Sequence, residues 1–197
     1  MIITISGMPG SGKSSVAKVL AKKLGYKHVN MGNIRRSIAK KKGMTLEEFN
    51  KLGETNKSTD VLIDKEVKRL GKEEKNVILE SRTAWFFIPE SLKIFIDVSS
   101  EVGAKRILKD LKNKNRLKKR NEVRERVTTV AEMKKKNAQR IASDELRYQK
   151  YYGFKPYEKK NFDVVIDASN LSIKENVGII LDYLKKSYPD TRIKVKS

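Results

Sequence analysis

A glycine-rich segment near the amino terminus carries the residue types that bind phosphate. It runs Gly7-Met8-Pro9-Gly10-Ser11-Gly12-Lys13-Ser14, with Ser15 next, and it satisfies the pattern G-x-x-x-x-G-K-[ST] in full. Its glycines let backbone N–H groups close around phosphate oxygens, and the helix that follows adds the positive end of its dipole. In this pattern Lys13 reaches the β- and γ-phosphates of a nucleoside triphosphate, while the Ser14 hydroxyl holds Mg²⁺. We therefore predict that Gly7–Ser15 bind ATP together with Mg²⁺.

Arginines form a second group of candidate residues. Arg36 follows a predicted second strand, and Arg82 follows a predicted third strand. An acceptor that is itself a phosphate needs such bidentate donors. Arg140, Asp144 and Arg147 share one face of a predicted helix. Because phosphoryl transfer needs guanidinium groups around the transferred phosphoryl, we predict a catalytic role for both arginines, with Asp144 orienting them.

The sequence offers few candidates for a general base. His28 is the only histidine, and its position in a predicted strand favours a structural role. Glu80, at the end of the third strand, is predicted to hold Mg²⁺, directly or through a bound water, although a plain strand-end carboxylate is an equal alternative. An acceptor phosphate is already anionic and needs no base, whereas a hydroxyl acceptor would require one. This pattern favours a phosphate acceptor.

Short apolar runs separated by helical patterns indicate how these residues are positioned. Runs at residues 2–5, 27–30, 77–79, 92–97 and 164–167 predict five strands. Alternation of strands and helices is typical of a parallel sheet covered on both faces, with ligands at the carboxyl ends of the strands. We predict one α/β domain over residues 1–197. Its parts are a core (1–31, 71–101 and 160–197), an insertion (32–70) and a basic helical lid (102–152).

Composition limits the partners of the chain. The formal net charge is +21 over 197 residues, which predicts attraction for polyanions. Part of this charge lies in the predicted lid, in the series Lys112, Lys114, Arg116, Lys118, Lys119, Arg120, Arg124 and Arg126. An ATP-binding protein that acts on RNA is therefore an alternative, but the spread of lysines favours a solvated surface. Cysteine is absent and no apolar run is long enough for a membrane span, so we expect a cytoplasmic protein, as a monomer without a membrane partner.

Several further segments resemble the compact cytidylate kinases of the archaeal type. Besides the phosphate-binding segment, they are Gly32-Asn33-Ile34-Arg35-Arg36, Gly43 to Phe49, Leu79-Glu80-Ser81-Arg82, and Arg147-Tyr148 with Tyr151-Tyr152-Gly153. The resemblance covers nearly the whole chain. It implies a three-layer P-loop NTPase fold of strand order 2-3-1-4-5, with a monophosphate-binding insertion and a lid.

The resemblance also implies a reaction and assigns residues to it. Gly32, Arg36 and Arg82 would bind the acceptor phosphate, and Arg140 and Arg147 would stabilise the transferred group beside Asp144. The implied reaction converts ATP and CMP or dCMP into ADP and CDP or dCDP, with Mg²⁺. Adenylate kinase or another small-molecule kinase of this fold is an alternative.

Three positions depart from the family pattern. Lys68 and Gly71 stand where the family tends to carry Asp and Gln, and Ser81 replaces a glycine. A missing polar partner of the base would weaken discrimination between bases, so the preferred monophosphate stays open.

Overall fold

A computed structural model describes residues 1–112 and 127–189 of the chain. Its strands are β1 (Ile2–Gly7), β2 (Lys27–Asn30), β3 (Val77–Glu80), β4 (Leu92–Asp97) and β5 (Val164–Asp167). Its helices are α1 (Lys13–Leu24), α2 (Met31–Lys41), α3 (Leu46–Thr55), α4 (Ser58–Glu73), α5 (Ala84–Phe87), α6 (Ser100–Leu111), α7 (Val130–Tyr152) and α8 (Ile173–Ser187), with a 3₁₀ turn at Lys159–Asn161.

The strands form one parallel sheet in the order β2-β3-β1-β4-β5, which confirms the predicted fold class. The central strand β1 is buried from Ile3 to Gly7 because helices cover both of its faces. One core packs β1, β4 and β5 against α1 and α8, and a second core packs β3 against α2, α4 and α5. The carboxyl ends of β1, β2 and β3 therefore meet at one edge of the sheet.

Local sequence signals explain where several helices begin and end. The Asn30 side chain caps α2, and a capping box between Thr45 and Glu48 begins α3. α1 ends at Gly25, whose positive φ of 67° suits glycine. These caps place the amino ends of α1 and α2 beside the carboxyl ends of β1 and β2.

The predicted insertion folds as α2, α3 and α4 between β2 and β3. The predicted lid contributes α6 and α7, and α7 begins with a capping box between Thr129 and Glu132. Of the basic series that predicted the charged lid, Lys112 is described, and the members from Lys114 to Arg126 lie outside the described residues. Within the described ranges, no helix is both long and apolar enough to cross a membrane.

Candidate active site

The phosphate-binding segment turns sharply between β1 and α1. A side chain at Gly7 would place its Cβ 2.1 Å from the Ile96 carbonyl oxygen, and one at Gly10 would lie 2.2 Å from that of Gly103. Gly10 and Gly12 also have positive φ values, of 79° and 82°. Glycine is therefore required at these turns by close backbone approach and by conformation.

Most of the segment lines a cleft at the edge of the sheet. Residues 9–15 line it, whereas Gly7 lies behind them and Met8 packs on the aromatic cluster around Trp85. The Lys13 ammonium donates to the Met8 carbonyl oxygen at 3.3 Å, which curls its side chain back over the loop. The loop thus presents its backbone and the Lys13 side chain to one cavity.

The two predicted metal-binding residues lie in contact. The Ser14 hydroxyl donates to Glu80 Oε1 at 2.6 Å, and Asn30 Nδ2 donates to Glu80 Oε2. Although burial raises the pKa of Glu80, hydrogen bonds from His28 and Ser14 and the charge of Lys13 outweigh it, and the net pKa is lowered. Glu80 is therefore an anion at neutral pH, although it is buried, with only 6% of its surface exposed to solvent.

This donor set fits Mg²⁺. A hydroxyl and an ionised carboxylate are the hard oxygen ligands that Mg²⁺ prefers, and Mg²⁺ in nucleotide sites takes its other ligands from water and phosphate. Among the described residues no group of three or more His, Cys, Asp or Glu side chains could form a complete protein cage. Ser14 and Glu80 therefore suit a metal ion that arrives with a nucleotide.

The predicted acceptor residues line the same cleft as the loop. Arg36 projects from α2 beside Gly32, where an added Cβ would lie 3.7 Å from the Arg36 guanidinium, and it donates to the Asn33 side chain. Arg82 follows β3 and donates through Nε to the Tyr157 hydroxyl at 2.9 Å. The amino end of α2 and the end of β3 thus bring two guanidinium groups to the cleft.

Asp144 is the centre of a buried arginine cluster. It is fully buried on α7, its Oδ2 lies 2.7 Å from Arg82 Nε, and Arg147 donates to its Oδ1. The Tyr157 hydroxyl also donates to Oδ2, at 2.6 Å. Burial raises the pKa of the Asp144 carboxyl, but the charges of Arg82 and Arg147 outweigh it and keep the pKa low. Asp144 therefore orients arginines and is not a proton acceptor at neutral pH.

Arg140 lies one turn before Asp144 and lines the cleft. Its Nε is buried and has no hydrogen-bond partner in the described part of the chain. The neighbouring charge of Arg82, together with burial, lowers the pKa of Arg140 to about 10. Arg140 is still a cation at pH 7, and the crowding of Arg82 and Arg140 makes this end of the cleft suited to anionic groups.

Arg147 lies elsewhere, behind the cleft. It is fully buried, is not among the cleft-lining residues, and donates through its two terminal nitrogens to Asp60 and Asp144. Asp60 in turn accepts from Arg35 at 2.8 Å. A chain of alternating charges therefore runs Arg35–Asp60–Arg147–Asp144–Arg82 and joins the insertion to α7 and β3.

Arg35, Asn50, Asp60 and Tyr157 were missed by sequence reasoning. The apolar positions of α2 are interrupted by Arg35, which is 4% exposed, so a charged residue on a core-facing helix position was the available signal. Tyr157 lies in the irregular segment after α7, where no periodicity indicates direction.

The two positions suspected of altering base preference point away from the cleft. The Lys68 ammonium lies 4.6 Å from the centroid of the Phe87 ring. Gly71 packs against Ile88, where an added Cβ would lie 2.8 Å from two side-chain carbons. Neither residue lines the cleft. Close packing against Ile88 explains the glycine at position 71, and a cation–π contact with Phe87 explains the lysine at position 68.

Known proteins are similar to this chain in sequence. Residues 3–128 match the family described as AAA domain. The chain is 38% identical to the cytidylate kinase of Archaeoglobus fulgidus over 92% of its length and 93% of that protein. It is 36% identical to the cytidylate kinase of Methanocella arvoryzae, over 95% of its length and 100% of that protein.

A solved structure shows a similar fold at low sequence identity. The shikimate kinase of Bacteroides thetaiotaomicron matches with a TM-score of 0.62 at 15% identity, over 94% of this chain and 98% of that one. At this identity the likeness concerns the fold alone.

Proposed function

This chain belongs to the cytidylate kinase family and is a nucleoside monophosphate kinase, and from that premise we propose that it phosphorylates CMP or dCMP with ATP and Mg²⁺. The observation that carries the proposal is a single cleft lined both by Lys13 and Ser14 and by Arg36, Arg82 and Arg140. Two phosphorylated substrates need both halves of such a site.

On the donor side, the backbone of residues 9–15 would hold the phosphates of ATP. Lys13 would release its contact with the Met8 carbonyl and bind the β- and γ-phosphates. Ser14 and Glu80 would hold Mg²⁺, which neutralises charge on the β- and γ-phosphate oxygens when bound. The contact between Ser14 and Glu80 supports this assignment, because it brings both oxygen donors to one point.

On the acceptor side, Arg36 and Arg82 would bind the monophosphate. Asp144 and Tyr157 hold Arg82 in position, so its guanidinium loses little freedom when the acceptor binds. Arg140 would contact the transferred phosphoryl group, and its unpartnered Nε supports that role. Arg147, for which the sequence predicted a catalytic role, is buried behind the cleft, and its contact with Asp144 supports a positioning role instead.

The arrangement supports direct in-line transfer. An oxygen of the acceptor phosphate forms a bond to the γ-phosphorus as the bond from that phosphorus to the β–γ bridging oxygen breaks. ADP leaves with the electron pair, and the arginines balance the charge that spreads over the equatorial oxygens. The acceptor oxygen is already an anion, so the reaction needs no proton acceptor.

An acceptor panel tests the proposal. ADP formation is measured with CMP, dCMP, UMP, AMP and GMP at matched concentrations, with Lys13→Ala as the control for background hydrolysis. We expect the highest kcat/KM with CMP or dCMP. A higher kcat/KM with AMP, GMP or UMP would show that this nucleotide, and not cytidylate, is the preferred acceptor.

A further inference from the structure

Arg35 is a buried arginine held firmly at the acceptor end of the cleft. Its Nε donates to Asn50 Oδ1 at 2.8 Å, and its NH1 donates to Asp60 Oδ1 at 2.8 Å and to the Thr59 carbonyl oxygen at 3.3 Å. The guanidinium carbon also lies 5.0 Å from the centroid of the Phe49 ring. Contacts from α3 and α4 thus fix the plane of this guanidinium.

One nitrogen of Arg35 is left over from these contacts. NH2 is buried and has no hydrogen-bond partner in the described residues, although Arg35 lines the cleft. A guanidinium carries only donors, and a buried donor without a partner destabilises the folded protein. Arg35 lines the cleft, so an acceptor atom on a bound substrate would satisfy this donor.

Asn50 supplies a second donor next to Arg35. Because Arg35 Nε can only donate, the amide oxygen of Asn50 must face it, and the orientation of this amide is fixed by chemistry. Asn50 also lines the cleft, and Nδ2 takes part in none of the hydrogen bonds found in the described residues. Arg35 NH2 and Asn50 Nδ2 are therefore two donors on side chains that are hydrogen-bonded to each other, and they are here called the donor pair.

The position of Arg35 on α2 separates it from the phosphate-binding residues. Consecutive helical residues point about 100° apart. Arg36 lies beside Gly32 and donates to Asn33, whereas Arg35 turns towards α3 and α4. If Arg36 binds the acceptor phosphate, Arg35 contacts the nucleoside that is attached to this phosphate.

We propose that the donor pair reads the N3 and O2 atoms of a cytosine base, and this inference rests on the proposed function. Cytosine presents two adjacent acceptors there, which match two donors. Uracil and guanine place a hydrogen on the corresponding ring nitrogen and oppose a donor, and adenine has no carbonyl beside its ring acceptor. A site of buried donors rejects a base that cannot pair with them more strongly than an apolar pocket does.

Substrate analogues test the proposal in the unmodified protein. The 5′-monophosphate of 3-deazacytidine replaces N3 by carbon, and that of pyrimidin-2-one riboside keeps N3 and O2 but lacks the exocyclic amine. We expect kcat/KM for the 3-deaza analogue to fall about tenfold to a hundredfold below that of CMP. The pyrimidin-2-one analogue should stay within about threefold of CMP, since the donor pair does not contact the amine.

Two variants connect this preference to the donor pair. Arg35→Lys keeps a cation for Asp60 but lacks the second guanidinium nitrogen, so the ratio of kcat/KM for CMP to that for the 3-deaza analogue should collapse at least tenfold. Asn50→Asp keeps the oxygen that faces Arg35 and removes the donor, and kcat/KM for CMP should fall about tenfold. The matched control is Arg69→Lys, an exposed arginine of α4 paired with Glu66 and Glu73. KM for ATP should be unchanged in all three.

The outcomes separate this inference from the proposed function. Suppose that the unmodified protein prefers CMP but Arg35→Lys keeps the same ratio of kcat/KM for CMP to kcat/KM for the 3-deaza analogue. The inference that the donor pair reads the base is then overturned, and the proposed function stands. If the unmodified protein prefers another monophosphate, both fall. If Arg35→Lys does not fold, Asn50→Asp and the analogue series decide, and equal kcat/KM for CMP and the 3-deaza analogue overturns the inference.

Discussion

Arg82 Nε lies 2.7 Å from Asp144 Oδ2, which joins the residue that follows β3 to the middle of α7. Asp144 also accepts from Arg147, so one fully buried carboxylate serves two arginines. The acceptor-side arginine is therefore positioned from the helix that carries Arg140.

Asp144→Asn should lower the free energy of unfolding by about 3–5 kcal/mol, because removing one partner leaves buried arginine charges uncompensated. Urea unfolding measures the change. The control is Glu145→Gln, the next carboxylate of α7, which should stay within about 0.5 kcal/mol. Equal stability of the two variants would contradict the role of Asp144 as the centre of the cluster.

Lys13→Ala and Arg140→Ala should each lower kcat on the order of a thousandfold, because each removes a cation from the phosphates during transfer. Steady-state kinetics with saturating substrates check this, with Arg69→Ala as the control outside the cleft. Near-normal turnover in Arg140→Ala would show that this residue lines the cleft without contacting the transferred phosphoryl group.

Glu80→Gln should raise the Mg²⁺ concentration that gives half-maximal rate by about tenfold or more, because the residue loses the charge that holds the metal. Titration of the rate with Mg²⁺ at fixed ATP measures the shift. Glu74→Gln, whose carboxylate pairs with Lys27 at the surface, is the control. An unchanged Mg²⁺ requirement would leave Glu80 as a structural partner of Ser14.

Asp64 should make stability depend on pH. Burial raises its pKa from 3.8 to about 6, against hydrogen bonds from Tyr152 and Thr83, with Asp60 adding to the increase. Between pH 4 and pH 6 the folded state therefore binds more protons than the unfolded state, and this group's contribution to stability falls as pH rises, by about 3 kcal/mol in total.

The difference in unfolding free energy between the unmodified protein and Asp64→Asn isolates this contribution. Asp64→Asn should gain in relative stability from pH 4 to pH 7, whereas Asp182→Asn, at an exposed carboxylate of α8, should show no trend. A constant difference for Asp64→Asn across this range would mean that the carboxyl titrates normally.

Gly71→Ala should destabilise the protein by about 1–3 kcal/mol, because its Cβ would overlap Ile88. Gly71→Ala combined with Ile88→Val should recover part of the loss. Gly178→Ala in α8, where an added Cβ meets nothing within 4 Å, should instead stabilise by about 0.5–1 kcal/mol. Thermal unfolding checks all three, and a change in the CMP to UMP preference of Gly71→Ala would contradict its place outside the cleft.

The sequence was sufficient for the parts of the fold that depend on local patterns. Apolar periodicity predicts the strands, and the family resemblance predicts their order. The cap at Gly25 follows from the backbone conformation that glycine favours. The convergence of Glu80 with Ser14 was also predictable, since Glu80 ends β3 and Ser14 follows the loop at the carboxyl end of the adjacent parallel strand β1.

Residues that depend on long-range contacts were not predictable in this way. Asp60 looks like an ordinary first-turn carboxylate of α4, and its role comes from Arg35 and from Arg147, which lies 87 positions away. Arg147 shares a helix face with Arg140 and lies seven residues further along α7. Arg140 lines the cleft, whereas Arg147 is buried in the interior. The spacing of residues on a helix predicts the direction of their side chains, but it does not predict how deeply those side chains are buried.

The buried pairs between α7 and the insertion determine where motion of α7 can begin. Arg147 pairs with Asp60, Tyr152 donates to Asp64, and the Tyr151 hydroxyl donates to the Gly53 carbonyl oxygen at 2.8 Å. Pulling this half of α7 away would separate the buried ion pair of Arg147 and Asp60, at a cost of about 3–5 kcal/mol, and would break both tyrosine hydrogen bonds. A closing movement around the nucleotides must therefore hinge before Asp144, or carry α3, α4 and the end of α7 together as one rigid body.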